Sequence, residues 1–520
     1  MQKSFLNKSK FKQKSPAGNR RTQLKINLCL FVEFAIFVFC YINNKTILLT
    51  FDIKVKRKFT TNLEKYKSIM EIKDYIKENE ARFFEELFSL IRIPSISAQT
   101  DKKDEIKRCA ARWKELLLEA GVDTAEILKT KGNPVVFATK SIDQKLPTVM
   151  VYGHYDVMPA EPLELWETPP FEPAIRDGKL YARGADDDKG QSFLHAKAFE
   201  YLVRTNQLKC NVKFILEGEE EIGSPSLEAF CKENKKMLAC DTILVSDTSM
   251  LAANQPSITT GLRGLAYWEI EVTGANRDLH SGIFGGAVAN PINELAKILA
   301  QLIDKDGKIT VPGFYDDVEK VSKKERDLIA EIPFDKEEYK KDLGIKHLFG
   351  EKSYSTIERT GIRPTMDLCG IWGGYTGEGS KTVLPSKAYA KLSARLVPNQ
   401  KSDKIAKLVE KHLKKIAPKH IDIKVTYLHG AESYVCPIDS KAYKAAEKAY
   451  EKGFGKRPLP VRRGGSIGVI PTFQKVLGVT PILMGFGLES NSIHSPNEHF
   501  QIDLYRKGVE TIVEFYNQYC

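Results

Sequence analysis

Seven residues of metal-ligating type sit in short polar motifs along the chain. His154 and Asp156 lie in "GHYD", Asp187 in "RGADDDKG", Glu220 and Glu221 in "EGEEEIGS", Asp247 in "LVSDT" and His494 in "NSIHSPNE". Taken singly, each has a plain alternative. His-x-Asp reads as a hydrogen-bonded surface pair. The aspartate run reads as a helix N-cap whose acids suit the dipole. Asp247 reads as a turn residue, His494 as a loop histidine and the glutamate run as a solvated turn. Together they offer imidazole nitrogens and carboxylate oxygens, a set suited to zinc, manganese or cobalt. Two such ions about 3.5–4 Å apart need a carboxylate between them, and the pair activates water and polarises a carbonyl. A further carboxylate beside them would take the proton from that water. The chemistry implied is metal-assisted hydrolysis.

These motifs follow apolar runs. "PTVMVYGHYDV", "NVKFILEGEEE" and "DTILVSDTS" each read as a strand with a polar end, and "DDDKGQSFLHAKAFEYLV" between them has helical periodicity. Strands alternating with helices predict an α/β fold with a largely parallel sheet, whose ligands bind beyond the carboxyl ends of strands. After Pro256 the texture changes. "GLAYWEIEVTG" and "KAYAKLSARLVP" alternate as strands wet on one face, and Asn290-Pro291 opens an amphipathic helix as N-cap and first residue. Residues 258–398 are therefore expected to form an inserted α+β domain. It divides a catalytic domain into residues 70–257 and 399–520. The Lys-rich stretch 401–420 reads as a solvated helix face.

The 520 residues carry a net charge of +12, which would suggest nucleic acid or an anionic membrane as partner. Residues 1–69 hold 15 Lys/Arg against three acids (Glu33, Asp52 and Glu64) and so account for all of it. The body is neutral, and a nucleic-acid partner is not expected. The apolar run Leu28–Ile42 contains Glu33, is shorter than the roughly 20 residues of a spanning helix, and lacks a small-residue cleavage site. Residues 1–69 are expected to stand outside the fold as a basic leader. The alternative is an uncleaved anchor, with membrane contact or export. Nine scattered cysteines without a CxxC pair argue against a disulfide scaffold and for a reducing, cytoplasmic setting.

From Met70 to the end the sequence resembles the M20 family of metallopeptidases, in particular its dipeptidase branch with carnosine-type dipeptidases. The resemblance rests on "VYGHYDVMPAEPLELWETPPFEP", "LYARGADDDKGQ", "LEGEEEIGS", "SDT", "RDLHSGIFGG", "GSKTVLPSKAYAKLSARLVP", "GGSI" and "HSPNE". It implies that His154 and Asp247 bind one metal, Glu221 and His494 the other, and that Asp187 bridges them ahead of a cis peptide. It also implies that Asp156 orients His154 and that Glu220 is the general base. Asp186 and Glu219 are left without a role, Glu219 as a solvated neighbour. The inserted domain resembles the family's lid and dimerisation domain. His280 would then reach a partner's active site, and Thr382, Arg395 and Ser466 would contact substrate. The alternatives are a turn cap for His280, a surface ion pair for Arg395 and a glycine-loop role for Ser466.

The implied activity is hydrolysis of dipeptides with two divalent ions, zinc first and manganese or cobalt as alternatives, in a homodimer. An N-acyl amino acid deacylase, desuccinylase or carboxypeptidase of the same family would use the same chemistry on another substrate. A non-catalytic protein on this fold would have lost a ligand or the base, and every such position is filled. His195, His347, His412, His420, His429 and His499 are assigned to packing or surface, and Trp166 to structure or a pocket wall.

Overall fold

A computed structural model describes residues 70–465 and 467–520. The expectations for residues 1–69 and for Ser466 fall outside these. The strands that matter here are β1 (Thr124–Leu128), β2 (Val135–Lys140), β3 (Thr148–His154), β4 (Asn211–Glu217), β5 (Thr242–Val245) and β6 (Ser257–Leu262). They continue with β7 (Gly264–Thr273), β8 (Thr365–Gly373), β9 (Lys387–Leu396), β10 (Asp422–Ala431), β11 (Tyr434–Val435), β12 (Leu459–Arg463) and β13 (Pro481–Leu483).

The main sheet has the order β1-β2-β4-β3-β5-β13-β6-β11, with β12 beside β6. Its centre is parallel: β3 pairs in parallel with β4 and β5, and β5 with β13. The flanks are antiparallel at β1–β2, β2–β4, β13–β6 and β6–β11. The sheet is therefore mixed, not largely parallel. The central strands read as continuous apolar runs because both of their faces are covered. β5 and β13 are buried throughout, and β3 at every residue after its first. Helices α1 (Ile72–Ile91), α2 (Lys103–Ala120) and α3 (Lys189–Arg204) share its core with α5 (Lys441–Phe454) and α6 (Ile502–Tyr519).

A second sheet, β8-β9-β7-β10, is antiparallel throughout. β7 alternates buried and half-buried residues along its length, as its sequence predicts. The inner face has its own core of Trp268, Ile270, Leu295, Ile298, Phe314, Leu392, Val409 and Leu413. Asn290 caps the helix Pro291–Leu299 by accepting from Ile292 N at 2.9 Å. The sheets divide the chain at other places than the sequence-based boundaries of 258 and 399. β6 still belongs to the main sheet, and the second sheet retains the chain to Ala431, because β10 hydrogen-bonds β7 from Asp422 to Ala431. Helix α4 (Ser402–Ile416) packs Ile405, Ala406, Val409 and Leu413 on that core and leaves Lys404, Lys407, Lys411, Lys414 and Lys415 exposed. Among the described residues no helix is long and apolar enough to cross a membrane.

Candidate metal centre

β3, β4 and β5 are adjacent and parallel, so their carboxyl ends open at one edge of the sheet. His154 is the last residue of β3, Glu220 and Glu221 follow β4 after Gly218 and Glu219, and Asp247 lies two residues past β5. Asp187 comes from the loop before α3, and His494 from the loop after β13. Two donor groups result: His154, Asp187 and Asp247, and Asp187, Glu221 and His494, with the donor atoms of each within 4.8 Å of one another. Asp187 belongs to both. Its Oδ1 lies 3.0 Å from His154 Nε2 and its Oδ2 2.9 Å from His494 Nε2. Glu221 Oε2 lies 3.2 Å from the same His494 nitrogen, and Asp247 Oδ2 lies 3.9 Å from His154 Nε2.

The surroundings hold these groups in place. Asp156 is fully buried. Its backbone carbonyl lies 3.0 Å from His154 Nδ1, closer than its carboxylate at 3.5 Å. The carboxylate accepts instead from Glu220 N at 3.2 Å and Glu221 N at 3.1 Å. Asp156 thus orients His154 through its main chain and ties down the glutamate turn through its side chain. The Asp187–Asp188 peptide is cis. Asp188 occupies the N-cap position of α3, yet its carboxylate accepts from His154 N at 3.1 Å and from Ser192 Oγ rather than from a helix N–H.

Two residues without an assigned role prove structural. Glu219 is buried, not solvated: its carboxylate accepts from Asn133 N at 2.8 Å and Ser226 N at 3.2 Å. A Cβ on Gly132 would fall 1.7 Å from Glu219 Oε1, so the 130s loop approaches as closely as only glycine allows. Asp186 is buried and accepts from Asn491 Nδ2 at 2.7 Å, which anchors the loop carrying His494.

Glu498 went unassigned, although it ends the "HSPNE" motif. It is fully buried and pairs with Arg183 Nη1 at 2.8 Å. Its carboxylate also accepts from Gly184 N, Asp186 N and Asp187 N at 3.0, 3.0 and 3.1 Å. It thus positions the backbone of Asp187. Glu498→Ala is expected to cost about 3–5 kcal/mol by leaving Arg183 buried and unpaired, read as a lowered urea midpoint. An unchanged midpoint would contradict this.

The donors are electrostatically crowded. Burial and the Asp187 charge push Asp247 up to about 7. Burial, with Asp247, Asp187 and Glu221 nearby, holds Glu220 well above the usual carboxyl range. Hydrogen bonds to Asp187 and Glu221 raise His494 to about 10. Burial opposes a charge on His154, but Asp156, Asp187 and Asp247 outweigh it and raise its pKa. Four carboxylates facing two imidazoles leave an excess of negative charge, which is what divalent cations at these oxygen and nitrogen donors would neutralise.

The remaining expected residues lie elsewhere. His280 is exposed, belongs to neither donor group, and caps a short helix by accepting from Gly282 N at 3.0 Å. The strand Leu279–His280 pairs with Val383–Leu384, and Thr382 O accepts from Ser281 N at 3.1 Å, so His280 and Thr382 are neighbours. Arg395 stands on β9 opposite Leu265 and Thr365, beside Arg263. His195 is buried, with Nε2 2.6 Å from Ser246 Oγ. His499 packs against Tyr181 with the rings tilted by 38°, and His429 stacks on Tyr267. Trp166 donates to Ala160 O at 2.7 Å and lines, with Pro94, Pro170 and Phe171, a cavity of about 550 Å³ that holds none of the donor residues.

Residues 150–518 match Peptidase family M20/M25/M40. The Cys-Gly metallodipeptidase DUG1 of Candida albicans is 33% identical over 468 residues, which are 86% of this chain and 96% of that protein. The Beta-Ala-His dipeptidase of Homo sapiens is 31% identical over 446 residues, 84% of this chain and 85% of that protein. Among solved structures, human carnosine dipeptidase 1 superimposes with a TM-score of 0.73 at 30% identity over 86% of this chain and 98% of its own. An M20 family metallo-carboxypeptidase of Sulfolobus solfataricus, Sso-CP2, gives 0.75 at 35% over 84% of this chain and 99% of its own. The two donor triads that share Asp187 thus stand in a chain that belongs to peptidase family M20/M25/M40.

Proposed function

We propose that this peptidase cleaves dipeptides with two divalent ions and Glu220 as general base. The observation that carries the reading is Asp187, whose two oxygens face the two histidines at 3.0 and 2.9 Å. Cations held by His154 and Asp247 on one side and Glu221 and His494 on the other, with Asp187 shared, would polarise the scissile carbonyl and acidify a water. Zinc suits this donor set, and manganese or cobalt would also be accepted. Glu220 takes the proton of the attacking water on its carboxylate and passes it to the leaving amine. Asp156 holds the Glu220–Glu221 turn throughout by its two backbone hydrogen bonds.

Arg395 pairs with the substrate carboxylate through its planar fork, and Thr382 and Ser466 contact the substrate. His280 donates to the developing oxyanion in the site of a second copy. Its exposure and its place outside both donor groups of its own chain support a role in trans. The second sheet with its helices, read as an inserted lid, would carry the dimer contact. Its edge strand β8 exposes Leu368, Ile371 and Trp372 at 49, 52 and 43%. Free cysteines fit a cytoplasmic setting.

Metal analysis coupled to a substrate panel tests this reading. About two divalent ions per chain and turnover of Cys-Gly or β-Ala-His are expected, with little on N-acetyl or N-succinyl amino acids. The likeness to Sso-CP2 favours one alternative, a carboxypeptidase. Release of C-terminal residues from longer peptides in preference to dipeptides would decide for it.

A further inference from the structure

Helix α3 follows Asp187 closely, with Asp188 at its N-cap. Gln191 and His195 lie one turn apart on it, and both are buried. Each reaches the chain where it leaves the central strands. Gln191 Oε1 accepts from Phe486 N at 2.7 Å and Gly487 N at 3.2 Å, just past β13. His195 Nε2 lies 2.6 Å from the hydroxyl of Ser246, the residue between β5 and Asp247. That hydroxyl donates to Met484 O at 2.6 Å, and Met484 N donates to Val245 O at 2.7 Å. Three segments that carry metal donors thus meet at one serine: the helix behind Asp187, the exit of β5 towards Asp247 and the exit of β13 towards His494.

The proton positions follow from the acceptors. A carbonyl only accepts, so the single hydroxyl proton of Ser246 goes to Met484 O. His195 must then donate from Nε2, and its Nδ1 carries the lone pair. Burial pushes His195 down to about 3, which keeps the ring neutral. Among the described residues Nδ1 has no hydrogen-bond partner, although it is buried. A buried polar atom left unpaired costs stability, so packing alone does not account for an imidazole here. An apolar side chain would pack without that cost. What the imidazole adds is its one hydrogen bond, made to the residue next to a metal donor.

We propose, on the two-ion reading of the centre, that His195 is a positioning residue: its Nε2–H fixes Ser246, and through it the main chain that aims Asp247 at its cation. The Asp247 carboxylate stands 3.9 Å from His154 Nε2, beyond hydrogen-bond reach, so its aim depends on that main chain. The other donor group is tied at its side chains. His494 Nε2 lies 2.9 Å from Asp187 and 3.2 Å from Glu221, and Glu221 also accepts from Met158 N at 3.0 Å. Loss of the His195 hydrogen bond therefore loosens one cation position and spares the other.

The experiment titrates the metal-free full chain with zinc against a chromophoric chelator and measures metal-free thermal midpoints alongside. In His195→Leu one of the two ions is expected to bind about 10–100-fold more weakly, the range for a lost partner behind a metal ligand, and the other as in the wild type. The metal-free midpoint should hardly move, because the substitution gives up one hydrogen bond together with the unpaired Nδ1. His195→Gln, whose amide can donate to Ser246, should restore the affinity. Ser246→Ala removes the acceptor and keeps the imidazole. It should reproduce the weakening, and it decides the matter if His195→Leu does not fold. Unchanged affinity in the folded variants, equal weakening of both ions, or no rescue by His195→Gln would overturn the proposal. A wild type that binds no zinc would overturn the two-ion reading itself, and the proposal with it.

Discussion

Glu220→Gln lowers kcat on a dipeptide by about 10²–10⁴-fold, the range of a lost general base, and leaves the metal content at its wild-type value. The two halves of this expectation rest on different observations. Glu220 is in neither donor group, so an amide there removes no ligand. The turn that carries it is held by backbone N–H groups on Asp156, which the substitution does not touch. What the amide removes is a carboxylate that stands beside both donor groups and belongs to neither, the proposed acceptor of the water's proton. It also relieves repulsion from Asp247, Asp187 and Glu221, while every residue of both donor groups is kept. Steady-state kinetics and elemental analysis of the same preparation read both halves. Turnover within a few fold of wild type would remove Glu220 from the chemistry. Loss of metal would make it a ligand instead.

Much of the centre was legible because its residues are local to strand ends. An apolar run that stops at His154, Glu217 or Val245 marks a strand terminus, and the polar residues beyond it have nowhere to go but the open edge of the sheet. Which donors converge is a different matter. That His494 meets Asp187 and Glu221 depends on a loop after β13, and no periodicity encodes that approach. The resemblance supplied that pairing.

The features that escaped share one physical origin: long-range contacts that leave no local pattern. Glu219 looks solvated within its run of three glutamates, and becomes buried because Asn133 and Ser226 bring backbone N–H donors to it. Glu498 looks like loop polarity, and becomes a buried anchor because Arg183 arrives from far upstream in the chain. Strand direction is likewise silent in an apolar run, so the antiparallel flanks of the main sheet could not be read. β10 escaped too. Its residues alternate between exposed and half-buried, so the stretch resembles surface more than the edge strand of a second core.

Asp187→Ala has the other large expected effect, and it differs in kind. Asp187 is the one residue common to both donor groups, and each of its oxygens faces a different histidine. Removing it withdraws a donor from both groups and takes away the negative charge that lies between the two proposed cation positions. The expected result is loss of turnover at least as deep as in Glu220→Gln, now with loss of bound metal. Stability reports the loss independently of activity. A ligand that binds only the folded chain stabilises it by about 2.7 kcal/mol at 100 times its dissociation constant. The wild type should therefore gain thermal stability when zinc or manganese is added, and Asp187→Ala should gain little. Comparing the two metal-free proteins separates this from misfolding. Glu498 grips the backbone N–H of residue 187 rather than its side chain, so the loop should survive the substitution. Equal metal-induced shifts in thermal midpoint for the two proteins would show that Asp187 is not shared between the ions.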